Sequence, residues 1–250
     1  MSAQTERLEL LIAYDGRPFR GWQSQATGDA VQDHVEQAFS GVVEGRTVVH
    51  GAGRTDAGVH ALGQVAHADV PLGRLPRRQW QRVLNANLPH EIRVLRVAEA
   101  RPDFHARFDA HGKVYAYRIW NGSYLHPLEI GRAWLVPGTI DFDVLRRAAD
   151  LAVGTHDFAG FAARMPEPGE NTVRTIHSID LTRENEIVTV RFCGDGFLYK
   201  MVRMLCGSLV RCARHRAPED WIAQLVAKKG KIKTHFGAPA EGLYLEKVVY

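Results

Sequence analysis

The chain reads as an α+β protein made of two β-α-β-β-α-β halves, with antiparallel sheets joined side by side around a central cleft. Three observations predict this. Apolar periodicity alternates along the chain between about two and about 3.6 residues, so short strands alternate with single helices. The segments come in the order strand, helix, strand, strand, helix, strand, which is the ferredoxin-like or RRM-like signature. That order appears twice, roughly before and after residue 105, although no amino-acid identity between the halves is visible. The expected division is therefore 1–104 for the N-terminal half and 105–250 for the C-terminal half.

Each element has its own warrant. Leu8–Tyr14 alternates as a strand and ends at Asp15-Gly16-Arg17-Pro18. Ala30–Glu44 has the amphipathic spacing of a helix, with Val31, Val35, Ala38, Phe39 and Val42 on one face and Asp29 as the expected N-cap. Strands are expected at Thr47–His50 and Gln64–Val70. A second helix spans Arg78–Leu88, carrying Trp80, Val83 and Leu84 and stopped by Pro89, and Ile92–Ala98 closes the first half as a strand. In the second half, Gly112–Trp120 is a strand and Ala133–Val136 a short extended piece, followed by a helix at Phe142–Val153. Val173–Thr182 and Glu186–Cys193 form a hairpin through Arg183-Glu184-Asn185. Phe197–Arg214 is a strongly apolar helix, Pro218–Lys229 starts another at its proline, and Leu243–Val249 is the last strand. Arg164–Asn171 is the most loop-like stretch and a candidate mobile loop.

Composition excludes little but points one way. Hydrophobic content of 45% and charged content of 24% are ordinary for a globular chain of 250 residues. The net charge of +4 permits a polyanionic partner without requiring one. Cys193, Cys206 and Cys212 are odd in number and lack ligand spacing, so neither a disulfide framework nor a metal cluster is expected, and Cys206 and Cys212 read as core residues. No apolar run approaches a membrane span, and Met1–Arg7 shows no signal-peptide pattern, so a cytoplasmic location is expected.

The chemistry concentrates in Gly51-Ala52-Gly53-Arg54-Thr55-Asp56-Ala57-Gly58-Val59-His60-Ala61. Arg54 and Asp56 are two residues apart, so in an extended segment both face the same way. Gly51, Gly53 and Gly58 permit sharp turns or close approach to a ligand. An acid on a tight loop between strands suits catalysis, and an ordinary hairpin turn is the plainer alternative. Four other stretches stand out. Arg20–Gln25 offers Trp22 and two amides for a nucleotide, or a loop with Trp22 packed inward. Phe104–Arg107 leads into Lys113–Tyr117, where one tyrosine could stack on a base while Arg107 and Lys113 meet phosphate; a core-facing tyrosine pair is the alternative. Arg203, inside the apolar helix, needs an acidic partner or a route to solvent. Ala238–Leu245 sets the last strand, with Leu243 either at a cleft mouth or in a plain core strand. The twelve histidines are scattered; His60 and His67, an odd number apart, fall on opposite faces of their strand.

Together, Gly21-Trp22-Gln23 with Val31-Gln32, the Gly51–Ala61 run, Leu84-Asn85 with Leu88-Pro89, Phe104–Arg107, Lys113–Tyr117, His156-Asp157-Phe158, Gly196–Arg203 and Ala238–Leu245 closely resemble the tRNA pseudouridine synthase A family, in order over essentially the whole chain. The resemblance implies an isomerase acting on uridines 38, 39 and 40 of the tRNA anticodon stem-loop, as a homodimer and without a cofactor. It implies Asp56 as the catalytic carboxylate, with Arg54 two residues before it. Tyr115 is matched to the tyrosine that stacks on the target uracil, Arg203 to the arginine that pairs with the acid, and Leu243 to the apolar residue on the base. No metal and no membrane association are implied. His235-Phe236-Gly237 departs from the family's pattern, in which a threonine tends to stand beside the alanine. Two rival classes remain from the residues: a non-catalytic RNA-binding pair of RRM-like sheets, which would need an RNP-type aromatic run, and a metal-dependent nuclease, which would need a second acidic ligand near Asp56.

Overall fold

Leu8, Leu10, Ile12 and Tyr14 are buried at every second position, and this alternation makes the first strand, β1 (Thr5–Tyr14), a half-buried strand from the start. The computed structural model describes residues 4–164 and 170–250. The helix α1 (Val31–Ser40) follows, then β2 (Val49–Gly51), β3 (His60–Pro71), α2 (Arg77–Asn87) and β4 (Ile92–Ala100). The first sheet runs β4-β1-β3 in antiparallel pairs, with β2 also antiparallel on β3. Phe39 of α1 meets Trp80 of α2 at 5.7 Å between ring centroids, so the two helices share one core over the sheet.

The second series is β5 (Gly112–Trp120), β6 (Trp134–Leu135), α3 (Phe142–Asp150), β7 (Gly154–Asp157), β8 (Val173–Glu184), β9 (Ile187–Gly194), α4 (Met201–Ala213) and α5 (Trp221–Ala227). Its sheet runs β5-β9-β8-β7 in antiparallel pairs, with β6 parallel to β5. The β8–β9 turn places Asn185 at φ 54°, a left-handed position that asparagine tolerates. The last strand, β10 (Leu243–Val249), pairs in parallel with β3, Tyr244 opposite His60 and Leu245 opposite Ala61. The architecture is thus a mixed α/β fold of interleaved β-α-β-β-α-β-like units with open sheets.

The chain divides into two compact units, one comprising the residues up to His111 together with Tyr244–Tyr250, the other Gly112–Leu243. The expected division was 1–104 and 105–250; the observed units part seven residues later, and the closing strand counts with the first. Alternation identifies a strand but carries no information about its partner, and Phe104–His111 is tied to the first unit by its own bonds: Tyr250 Oη donates to the Ala106 carbonyl at 2.6 Å and the His111 N–H to the Val249 carbonyl at 2.8 Å.

Three local expectations are corrected. Asp29 does not cap α1; the N-cap position is Ala30, whose N–H donates to the Asp33 carboxylate one turn inside at 3.0 Å. The apolar helix begins at Met201 rather than Phe197, because Lys200 at φ 59° cannot continue a right-handed helix backwards. The helix expected to start at Pro218 begins at Trp221, because the Pro218 carbonyl accepts the Trp221 N–H at 3.0 Å in a turn that precedes it. Asp141 does cap α3, accepting from the N–H groups of Asp143 and Val144. The loop expected at Arg164–Asn171 falls largely on 165–169, outside the described residues. Cys206 and Cys212 are buried core residues, as their spacing on the apolar helix suggests. Among the described residues no helix is long and apolar enough to cross a membrane.

Candidate active site

Residues 52–59 connect β2 to β3 and carry Asp56 without any regular secondary structure of their own. The connection is nevertheless held at several points. Ala52 N–H continues the β2–β3 ladder to the Val65 carbonyl at 2.7 Å. Gln64, fully buried on β3, donates from Nε2 to the Gly53 carbonyl at 2.8 Å. The Thr55 carbonyl accepts from Trp22 N–H at 3.1 Å, and its hydroxyl lies 2.8 Å from the buried Tyr14 hydroxyl. Burial pushes the Tyr14 hydroxyl well above the ordinary phenol range, so it is a neutral hydrogen-bonding group. Val59 N–H returns to the Asp56 carbonyl at 3.1 Å and closes a turn through Gly58, whose φ is 79°.

Two glycines explain how the 15–23 segment can lie against this loop. A Cβ at Gly21, which also has φ 87°, would overlap the Thr55 carbonyl oxygen, and a Cβ at Gly51 would overlap the Trp22 indole. Trp22 is therefore packed inward under the loop and not offered to a nucleotide. This settles the Arg20–Gln25 stretch in favour of the inward-packed reading for its aromatic.

The outcome for the loop's side chains follows the alternation. Arg54 is exposed, Thr55 is buried, and Asp56 is half-buried. The Arg54 guanidinium is tied at Nε to Gln23 Oε1 at 3.1 Å. Beside the loop, Gly16 N–H donates to His60 Nδ1 at 3.2 Å, and His60 stacks on Tyr244 with ring centroids 4.6 Å apart. Burial works against the Asp15 carboxylate there, but hydrogen bonds from Arg17, with His60 alongside, hold it below the usual carboxylate range.

The remaining expected site residues lie in the second unit. Tyr115 on β5 is 8% exposed and meets the Phe197 ring edge-on at 5.3 Å. Tyr117 is fully buried and donates from its hydroxyl to the Pro239 carbonyl at 2.6 Å. Arg203 stands in the first turn of α4, not in mid-helix; its Nε donates to the Ala238 carbonyl at 2.8 Å and its carbonyl accepts Ala238 N–H at 3.0 Å. That reciprocal pair fixes the approach to Leu243, which ends a 3-10 turn at Ala240–Gly242 and is 5% exposed. Arg54 and Asp56 thus share one loop of the first unit, while Tyr115 on β5, Arg203 on α4 and Leu243 at the start of β10 belong to the second unit.

The sequence reading gave no supporting role to Tyr14, Gln23, Thr55 or Gln64, although Gln23 and Thr55 stood in stretches it singled out. A weak signal was present: Gln64 interrupts an otherwise apolar strand, and a buried amide in such a run needs a partner. Among the described residues no group of three or more histidine, cysteine or acidic side chains is arranged to hold a metal ion.

The family described as tRNA pseudouridine synthase matches residues 10–109 and 148–250. The chain is 44% identical over 251 residues to a tRNA pseudouridine synthase A of Akkermansia muciniphila, covering 98% of this chain and 95% of that protein. It is 40% identical over 243 residues to a tRNA pseudouridine synthase A of Acetivibrio thermocellus, covering 97% and 99%. Among solved structures, a Cbf5-Nop10-Gar1 complex aligns over 81% of this chain and 44% of that one at 12% identity with a TM-score of 0.38, a likeness too slight to argue from.

Proposed function

We propose specific roles for five side chains on the premise that the chain belongs to the tRNA pseudouridine synthase family, as the matched residues and the two relatives show. The protein is an isomerase that converts uridine to pseudouridine in tRNA, by way of a catalytic aspartate at the anticodon stem-loop. The proposed targets are uridines 38, 39 and 40. Asp56 is the catalytic carboxylate, and Arg54, Tyr115, Arg203 and Leu243 bind the nucleotide. The observation that carries this reading is the 52–59 loop, which buries Thr55 on fixed partners while leaving Arg54 exposed and Asp56 half-exposed beside it.

The chemistry suits those groups. Pseudouridylation breaks N1–C1′, turns the uracil, and joins C5 to C1′; the C5 proton leaves to solvent and N1 gains one. There is no net redox or hydrolytic change. An ionised carboxylate serves either as a nucleophile on C1′ or as a base at C2′. The base must first leave its stack, at a cost of a few kcal/mol that contacts to the extruded nucleotide offset. Arg54 supplies a cation for phosphate or for the vacated space. Tyr115 and Leu243 supply an aromatic and an aliphatic face for the uracil, Arg203 a second cation. Both faces are nearly buried in the free chain, so substrate entry requires some side-chain movement at Tyr115 and Leu243. We further propose a cytoplasmic homodimer. The exposed Tyr124, Leu128 and Ile130 supply apolar surface for association.

The test uses tRNA tritiated at C5 of its uridines. Wild-type protein should release tritium to solvent, and replacing uridines 38, 39 and 40 by cytidine should abolish the release. Release that persists from the substituted tRNA would place the target elsewhere.

A further inference from the structure

Helix α1 buries two polar side chains that the roles above do not use, Gln32 and Glu36, each 7% exposed. They stand one turn apart on the same face. Glu36 Oε1 accepts the Val49 N–H at 3.1 Å and Gln32 Nε2 at 3.1 Å, while Oε2 accepts Arg46 Nε at 2.8 Å. Gln32 Nε2 also donates to the Val49 carbonyl at 3.0 Å. On its other side, Gln32 Oε1 accepts the Ser24 N–H at 2.9 Å and Gln23 Nε2 at 2.8 Å. The free end of Gln23 is the oxygen that receives Arg54 Nε.

The polarity of this run is imposed by its neighbours. An amide side chain can be turned end for end unless it faces groups that only donate or only accept. The Val49 carbonyl and the Glu36 carboxylate accept only, so Gln32 must show them its NH2 group. The Ser24 N–H donates only, so the Gln32 oxygen must face it, and that same oxygen obliges Gln23 to present its own NH2. The Gln23 oxygen is then left pointing at Arg54, which only donates. A carboxylate at one end and a guanidinium at the other are the two ends such a run can satisfy.

We infer that Gln23, Gln32 and Glu36 are positioning residues that hold the Arg54 guanidinium ready for the RNA. Without them, an exposed arginine on a loop samples many rotamers and must be ordered when substrate binds. With Nε held, the side chain is anchored through two amides to the interior of α1 and to β2, and the terminal nitrogens remain for phosphate or base. The inference rests on the reading that Arg54 contacts the nucleotide.

A double-mutant cycle tests it, with kcat/KM on tRNA and thermal unfolding measured for every variant. Gln23→Met removes the acceptor for Arg54 at similar length and in a half-buried position. It should lower kcat/KM about tenfold in the wild-type background, the scale of one hydrogen bond to a charged group, and have no further effect in an Arg54→Ala background. Gln32→Met never touches Arg54, yet should show the same dependence on it; any loss of thermal stability would appear equally in both backgrounds. Losses that add independently of Arg54 would show a merely structural network and overturn the inference. An active Gln23→Met beside an impaired Arg54→Ala would overturn the relay alone. A fully active Arg54→Ala would overturn the Arg54 reading and the relay with it.

Discussion

Two irregular segments of the first unit are held on the same strand, β3, by different chemistry. Residues 52–59, entering β3 at its start, are fixed chiefly by the Tyr14 and Thr55 hydroxyls, the Gln64 amide, main-chain bonds and glycine contacts, with the ionisable His60 and Asp15 only at the loop's end beside Gly16. Residues 104–109 are fixed farther along β3 by imidazoles. His67 Nδ1 accepts the Ala106 N–H at 3.1 Å, and His50, His67 and His105 pack with ring centroids 4.7–5.7 Å apart. The bonds of the first hold are mostly between groups that do not titrate in the acid range, whereas stability drawn from the second falls in acid because the folded His67 resists a proton that the unfolded histidine takes up.

The largest effect expected on the loop side comes from Gly21→Ala. The position has φ 87°, and a Cβ there overlaps the Thr55 carbonyl next to Asp56. Stability should fall by about 3 kcal/mol, and turnover about a hundredfold because the loop must shift. Chemical denaturation and tRNA turnover read the two effects; an Ala variant with wild-type activity would show that the loop is not held from this side.

On the imidazole side, burial and then the neighbouring His50, Arg7 and His105 lower His67 to about 4 from 6.5. The unfolded chain therefore takes up this proton first as pH falls. Its contribution is complete above about pH 6.5 and is lost progressively down to about pH 4, a total of about 3 kcal/mol. Asp69, paired with Arg7, and Asp109, paired with Arg101, stay ionised through most of that range, both being held below the usual carboxylate range by those partners. His67→Gln should flatten the acid-side decline in unfolding free energy. An unchanged decline would assign it to other groups.

A smaller effect is expected of Tyr14→Phe, which leaves the Thr55 hydroxyl without its buried partner and should cost about 1 kcal/mol. That loss should be the same at pH 5 and pH 8, in contrast to the histidine variant. A pH-dependent loss would erase the distinction between the two holds.

Much of this was legible from the residues. The Gly-Arg-Thr-Asp run predicted a loop between strands with Arg54 and Asp56 on one side, because glycines and two-residue spacing are local signals. The supports of that loop were not legible, because Tyr14 and Gln64 come from other elements and look like ordinary strand residues, and Gln23 was assigned to a nucleotide rather than to Arg54. The burial of Gln32 and Glu36 was not foreseen for a related reason: helical periodicity assigns polar residues to solvent, and only three-dimensional pairing shows them buried. The start of α4 was misplaced because a left-handed lysine leaves no mark in composition. The pairing of β10 with β3 was hidden because alternation carries no record of a partner.

The central claim is that the 52–59 loop exists to present the carboxylate of Asp56, and Asp56→Asn tests it most directly. Single-turnover pseudouridine formation and tRNA affinity should be measured on the same preparation. Turnover should fall about 10⁴-fold or more while affinity and thermal unfolding stay near wild type. Turnover within tenfold of wild type, or a loss fully explained by weaker binding, would contradict the assignment of Asp56 as the catalytic group.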